Sequence, residues 1–287
     1  MSAPESIALP ASIRTAEPGP DGMYVEAAGD PESPAVVFIH PAGSSARFWR
    51  PHMTGLADFY RLAPDLPGFG RSNHLPAASL RRTADIVAVL IGSHVPSGRA
   101  SVVGLCSGGV VIHALLDRHP DRVERAIIDG VPVIVPRGAR ALTLLATVMV
   151  TPFLHTRTPV RRLGEILGEE DVRAASRRAY LRSVADTFRS NAATGASCPT
   201  LLVAGEKEAD DGLGVRASNA ALAAVMPDAE AWYAPGLGHG WQLKAPDLHV
   251  RMVEAWLTGR ELPMELRPEA APPAVTVERL RRSSPRA

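Results

Sequence analysis

The stretch ASVVGLCSGGVVIHALL, residues 100–116, decides how the rest of the chain is read. An apolar, β-branched run ends in Gly104-Leu105-Cys106-Ser107-Gly108, and a helix-forming run follows at once. Small residues two positions either side of one side chain mark a sharp strand-to-helix turn, because such a turn crowds neighbouring backbones. The side chain at its apex is Cys106. The helix beginning there brings free N–H groups and a positive dipole end close to that side chain, a setting that stabilises a thiolate or an oxyanion.

Working outward, continuous apolar runs of the kind expected for strands covered on both faces occur at 35–40, 60–66, 125–130, 200–206 and 230–236, with a half-exposed one at 23–29. Helical stretches alternate with them at 79–94, 107–118, 215–226 and 247–258. This order predicts an α/β fold with a mostly parallel central sheet flanked by helices. The alternation breaks over 132–195, which is helical in period and rich in arginine, so a helical cap is expected there. Residues 1–131 and 196–262 then form the core, and 263–287, rich in Pro, Arg and Ser, is expected to be a flexible tail.

The composition narrows the function classes. With 31 Lys+Arg against 30 Asp+Glu, the net charge of +1 supplies no field to attract nucleic acid or an anionic membrane, and neither is expected as a partner. The longest apolar stretch, 141–154, contains Pro152 and is shorter than the ~18 residues of a membrane span. The first residues show no basic segment followed by an apolar one, so a cytoplasmic location is expected. Two cysteines, Cys106 and Cys198, cannot make a disulfide framework, and Cys198 reads as structural. No pair of histidines has metal-ligand spacing, and no glycine-rich nucleotide pattern follows the first buried strand, so neither metal nor organic cofactor is expected.

With the pieces VVFIHPAGSSARFW, DLPGFGRS, GLCSGG, LLVAGEKE and GLGHG in this order, residues 20–260 resemble the α/β-hydrolase fold superfamily. Most members carry serine where this chain has Cys106, and dienelactone hydrolases and some thioesterase and cyclase members look like the cysteine exception. A frame slipped to Ser107 would put Leu105 where a small residue is needed, so Cys106 is the candidate nucleophile, with a packing role as its alternative. The resemblance implies His239 as the base and an acid three residues after Gly205 of the stretch Ala204-Gly205-Glu206, where Glu208 replaces the usual aspartate. Asp210, Asp211 and, at the other location the fold uses, Asp129 stay open. It implies an oxyanion hole made by the backbone N–H groups of Ala42 and Ser107. Pro41 stands where a glycine is usual, but the donor position is spared. His40, Trp49, Phe153 and Trp241 are candidate pocket residues.

These residues point to an enzyme acting on an ester, lactone or thioester of a small apolar molecule. A non-hydrolytic biosynthetic enzyme (cyclisation, acyl transfer, carbon–carbon bond formation or conjugate addition) and an inactive ligand-binding protein are the alternatives. A thiolate keeps hydrolysis possible and makes the non-hydrolytic steps more plausible than a serine would, because the thioester it forms can pass to water, an amine, an alcohol or a carbanion.

Overall fold

The structure is a computed structural model that describes residues 10–133, 137–156, 169–189, 198–209 and 213–271. Its strands are β1 (Arg14–Thr15), β2 (Val25–Ala28), β3 (Ala35–Ile39), β4 (Tyr60–Pro64), β5 (Ala100–Leu105), β6 (Val123–Asp129), β7 (Thr200–Gly205), β8 (Ala229–Ala234) and β9 (Arg267–Pro268). They form one sheet in the order β1-β2-β4-β3-β5-β6-β7-β8-β9. From β4 to β8 all neighbours are parallel, and antiparallel strands close both edges.

Alternation along each central strand feeds two cores. Val37 and Ile39 of β3, Val102 of β5 and Leu202 of β7 face one layer, while Val36, Phe38, Val103, Leu201 and Val203 face the other. Period-two burial on both faces explains why these strands read as unbroken apolar runs. The first layer is covered by α2 (Leu80–His94) and α3 (Ser107–Arg118). The second is covered by α1 (Arg50–Gly55) and, near the end of the chain, by Pro246–Thr258.

Among the described residues, three helices fall within the expected cap: α4 (Arg137–Val150), α5 (Glu169–Ala174) and α6 (Arg177–Thr187). Polar contacts join this segment to the rest of the chain. Ser45 Oγ donates to Asp171 Oδ1 at 2.8 Å, Ser176 N donates to Gly68 O at 2.8 Å, and Leu80 N donates to Asp186 Oδ2 at 3.1 Å. Helix α4 turns Leu142, Leu145 and Met149 outward. Beyond the cap, α7 (Val215–Ala223), α8 (Trp241–Lys244) and α9 (Pro246–Thr258) complete the chain's helices among the described residues. None of these helices is long and apolar enough to cross a membrane.

The first residues of the expected tail, 263–271, pack onto the sheet edge. Leu266 is buried, β9 pairs with β8, Glu269 N donates to Ala231 O at 2.8 Å, and Arg216 forms a bidentate pair with Glu269 at 2.6 and 2.9 Å. A two-residue edge strand is too short to show any periodicity, so the sequence did not reveal it. Residues 272–287 lie outside the described residues.

Candidate active site

Ligand sites in open parallel sheets lie beyond the carboxyl ends of the strands, where the winding reverses. Here the reversal falls between β3 and β5, because the chain leaves β3 for β4 on one side and comes back to β5 on the other. The loop after β3 and the elbow after β5 therefore face each other.

Cys106 sits between β5 and α3 with φ 54° and ψ −118°, a conformation that costs a non-glycine residue on the order of 1–3 kcal/mol. Its neighbours hold it there: Cys106 N donates to Asp129 O at 2.8 Å, and Val110 N donates to Cys106 O at 3.1 Å. The two flanking glycines are required by contact. A Cβ on Gly104 would lie 2.7 Å from the Gly108 backbone, and one on Gly108 would lie 2.2 Å from the Ile39 carbonyl oxygen. The start of α3 is thereby pressed against the loop after β3.

His239 lies on the loop after β8, with 40% of its side chain exposed, and lines the same cavity as Cys106. Its Nδ1 is 2.8 Å from Glu208 Oε2, and the other carboxylate oxygen of Glu208 accepts from Gly205 N at 2.8 Å. Glu208 is buried in the single turn that follows β7, and that backbone bond fixes its carboxylate under the ring. With Nδ1 engaged, Nε2 is left for Cys106. Burial lowers the pKa of His239, but interaction with Cys106 and the hydrogen bond to Glu208 outweigh it and hold the ring well above its ordinary 6.5.

Asp129 ends elsewhere. It is fully buried at the end of β6, takes a hydrogen bond from Gln242 Nε2, and lies 3.5 Å from His249 Nε2. Burial and the nearby Glu208 charge raise its pKa well above the usual carboxylate value, and burial lowers His249 to about 3, so both shifts favour the uncharged forms. Asp210 and Asp211 lie outside the described residues.

Ala42 and Ser107 are adjacent, but not as two N–H groups alone. Ala42 N donates to Ser107 Oγ at 2.6 Å. Beyond them a cavity of about 240 Å³ is lined by Cys106, His239, Gly130, Pro132 and Val215, with Val184, Thr187 and Phe188 at the end of α6. Tyr180 of α6 lies close enough to Cys106 for the thiol's charge, after burial, to raise its pKa.

None of the four aromatic or imidazole candidates lines this cavity. Both ring nitrogens of His40 are committed to backbone, Nε2 accepting from Leu66 N at 2.9 Å and Nδ1 lying 2.9 Å from Pro41 O. Trp49 and Trp241 are completely buried in the layer beneath the sheet, and Phe153 is 59% exposed at the end of α4. Large apolar residues near site motifs do not reveal which side of the sheet they join. The cap residues of the lining were missed because they sit in a helix whose polar pattern gave no sign of its direction. Among the described residues, no group of three or more His, Cys, Asp or Glu side chains is arranged to hold a metal ion.

Known proteins share this arrangement of strands and turns. A Caulobacter sp. (strain K31) protein named as a candidate carbamate hydrolase, RutD, is 27% identical over 264 residues, 83% of this chain and 97% of that protein. A pimeloyl-[acyl-carrier protein] methyl ester esterase of Proteus mirabilis (strain HI4320) is 35% identical over 94 residues, covering 32% of this chain and 34% of the relative. Among solved structures, a thermophilic esterase from Thermogutta terrifontis aligns with a TM-score of 0.66 at 20% identity, over 87% of this chain and 99% of that one. A profile described as the alpha/beta hydrolase family matches residues 36–251. The chain is therefore an enzyme of the alpha/beta hydrolase family.

Proposed function

We propose that this enzyme hydrolyses an ester, lactone or thioester of a small apolar acyl group through a Cys106–His239–Glu208 triad. The observation that carries the reading is the continuous arrangement of Glu208, His239 and Cys106, with the acid 2.8 Å from Nδ1 and the thiol at a strained elbow. His239 holds the proton given up by the thiol, and Sγ attacks the carbonyl carbon as the thiolate. The tetrahedral oxyanion collapses to a thioester, and the leaving alcohol or thiol departs with the proton held by His239. Water, deprotonated by the same ring, then attacks the thioester, the acid is released and the thiol regains its proton. Glu208 keeps its charge throughout and fixes the ring's orientation.

The apolar cavity of about 240 Å³ suits a short acyl chain without charge. The names of the relatives, an esterase and a candidate carbamate hydrolase, support acyl chemistry on this chain. Residues 132–195 would serve as the lid, since α6 lines the cavity opposite the elbow.

The test is a single turnover with p-nitrophenyl acetate in a Cys198→Ala background, followed by intact-mass analysis. An acetyl group on Cys106 that disappears with time, and is absent from Cys106→Ala, is expected. Run in labelled water, hydrolysis leaves the label in the acetate. An acetyl group that stays on Cys106 in water and leaves only when an amine or alcohol acceptor is added would move the reading to acyl transfer, and a Cys106→Ala enzyme with unchanged turnover would overturn it.

A further inference from the structure

The Ser107 side chain occupies the place where an oxyanion hole would be expected to offer the Ala42 N–H. Its Oγ accepts that N–H at 2.6 Å, and Ser107 is only 2% exposed. Both residues also line the cavity beside Cys106. A hydroxyl has one proton to give and two lone pairs. Among the described residues, Ser107 Oγ uses a lone pair on Ala42 and gives its proton to no protein acceptor.

We propose that the Ser107 hydroxyl is itself a donor to the oxyanion, relaying the Ala42 N–H, so that one residue supplies both its backbone N–H and its side-chain O–H. The proposal rests on Cys106 being the nucleophile. Two observations favour a hydroxyl that stays over one that swings away. Ser107 opens α3, and α3 is pressed onto the loop after β3, where a Cβ on Gly108 would lie 2.2 Å from Ile39 O and 3.0 Å from His40 O. A substrate oxygen that displaced the hydroxyl would have to break a short bond and leave a buried hydroxyl in search of a partner. Accepting its proton breaks nothing. A chain running from N–H to O–H to O⁻ is also cooperatively polarised, each bond strengthening the next. No covalent bond to Ser107 forms or breaks, and its proton stays on Oγ.

This arrangement explains how a loop with Pro41 in place of glycine can still serve the site. The loop needs only to hold one N–H behind a hydroxyl that α3 positions.

Two probes of Cys106, in the Cys198→Ala background, test the idea. Iodoacetamide alkylates the thiolate by direct displacement and forms no oxyanion, whereas p-nitrophenyl acetate acylates it through one. In Ser107→Ala, acetylation should slow about ten- to a hundredfold while alkylation stays near the parent rate. Ser107→Thr, which keeps the hydroxyl, should recover most of the loss. Acetylation of Ser107→Ala at the parent rate or faster would overturn the proposal, because the hydroxyl would then be an obstruction that leaves. Equal slowing of both reactions would also overturn it, by showing a merely structural role. If the parent is alkylated quickly but acetylated no faster than a free thiol, there is no working hole and this proposal alone falls. A parent slow to both probes would instead remove the nucleophile reading on which it rests.

Discussion

Gly130 lies against the ring of His239: a Cβ at that position would stand 2.8 Å from both Nδ1 and Cε1. Gly130 also has φ +62° and follows Asp129 at the end of β6, so the turn after that strand sets the floor under the His239 ring. Gly130→Ala should strain the backbone by about 1–2 kcal/mol and push the ring off its line to Cys106. Loss of that alignment is expected to lower acyl turnover on the order of a hundredfold, with the thermal transition shifted far less. Parallel measurement of kcat and melting temperature checks it.

The two acids make opposite predictions. Glu208→Gln replaces the acceptor on Nδ1 with a side chain that can donate, and should cost about 10³- to 10⁴-fold in turnover. Asp129→Asn mimics the neutral form that burial favours, so activity should persist. The sign for stability follows from the raised pKa. The stabilising neutral form of Asp129 is fully present at low pH and lost as pH rises through the folded value, so Asn should be neutral or stabilising in alkaline solution. Denaturant melts of both variants across pH would expose the reverse ranking.

His239 carries a raised pKa, and its contribution to stability is therefore present below the ordinary 6.5 and lost as pH climbs through the higher folded value. Cys106→Ala and Glu208→Gln each remove one of the groups that hold the proton. Ring resonances followed by NMR should titrate at lower pH in each variant than in the parent, with the neutral form more populated at pH 7.

Asp171 of α5 and Asp65 after β4 are both raised to about 6, burial being the chief cause. Asp171 accepts from Ser45, and Asp65 accepts from Ala46 N and Arg71 N, each at 2.7 Å. Their protonated forms favour the folded state, an advantage that is complete below about pH 4 and gone above about pH 6. Asp171→Asn keeps an acceptor for Ser45 and removes one of the two ionisations. Its unfolding free energy should change less between pH 4 and 6 than that of the parent.

Much of this architecture was legible before any coordinates. The helix expected at 107–118 is the one observed, because Gly104 and Gly108 mark an elbow that admits no Cβ. The strands at 35–39, 100–105 and 200–205 were legible because they are buried on both faces. The sequence leaves the acid open among Glu208, Asp210, Asp211 and Asp129, because the first three are close neighbours and the direction in which Glu208 turns depends on its hydrogen bond from Gly205 N. Trp49 and Trp241 were assigned to a pocket because aromatic character is the same on either side of a sheet. The Ser107 hydroxyl went unnoticed because its role depends on a backbone group 65 residues away.

The parallel sheet also separates the two thiols. Cys106 follows the carboxyl end of β5 and Cys198 precedes the amino end of β7, so roughly 20 Å of strand rise lies between them. A sulfenic acid formed on Cys106 by peroxide has no second thiol within this chain to resolve it as a disulfide. Hydrolases with serine at the elbow have no such vulnerability. Recovery of this one depends on a reductant from outside the chain, and further oxidation to the sulfinic acid would be permanent.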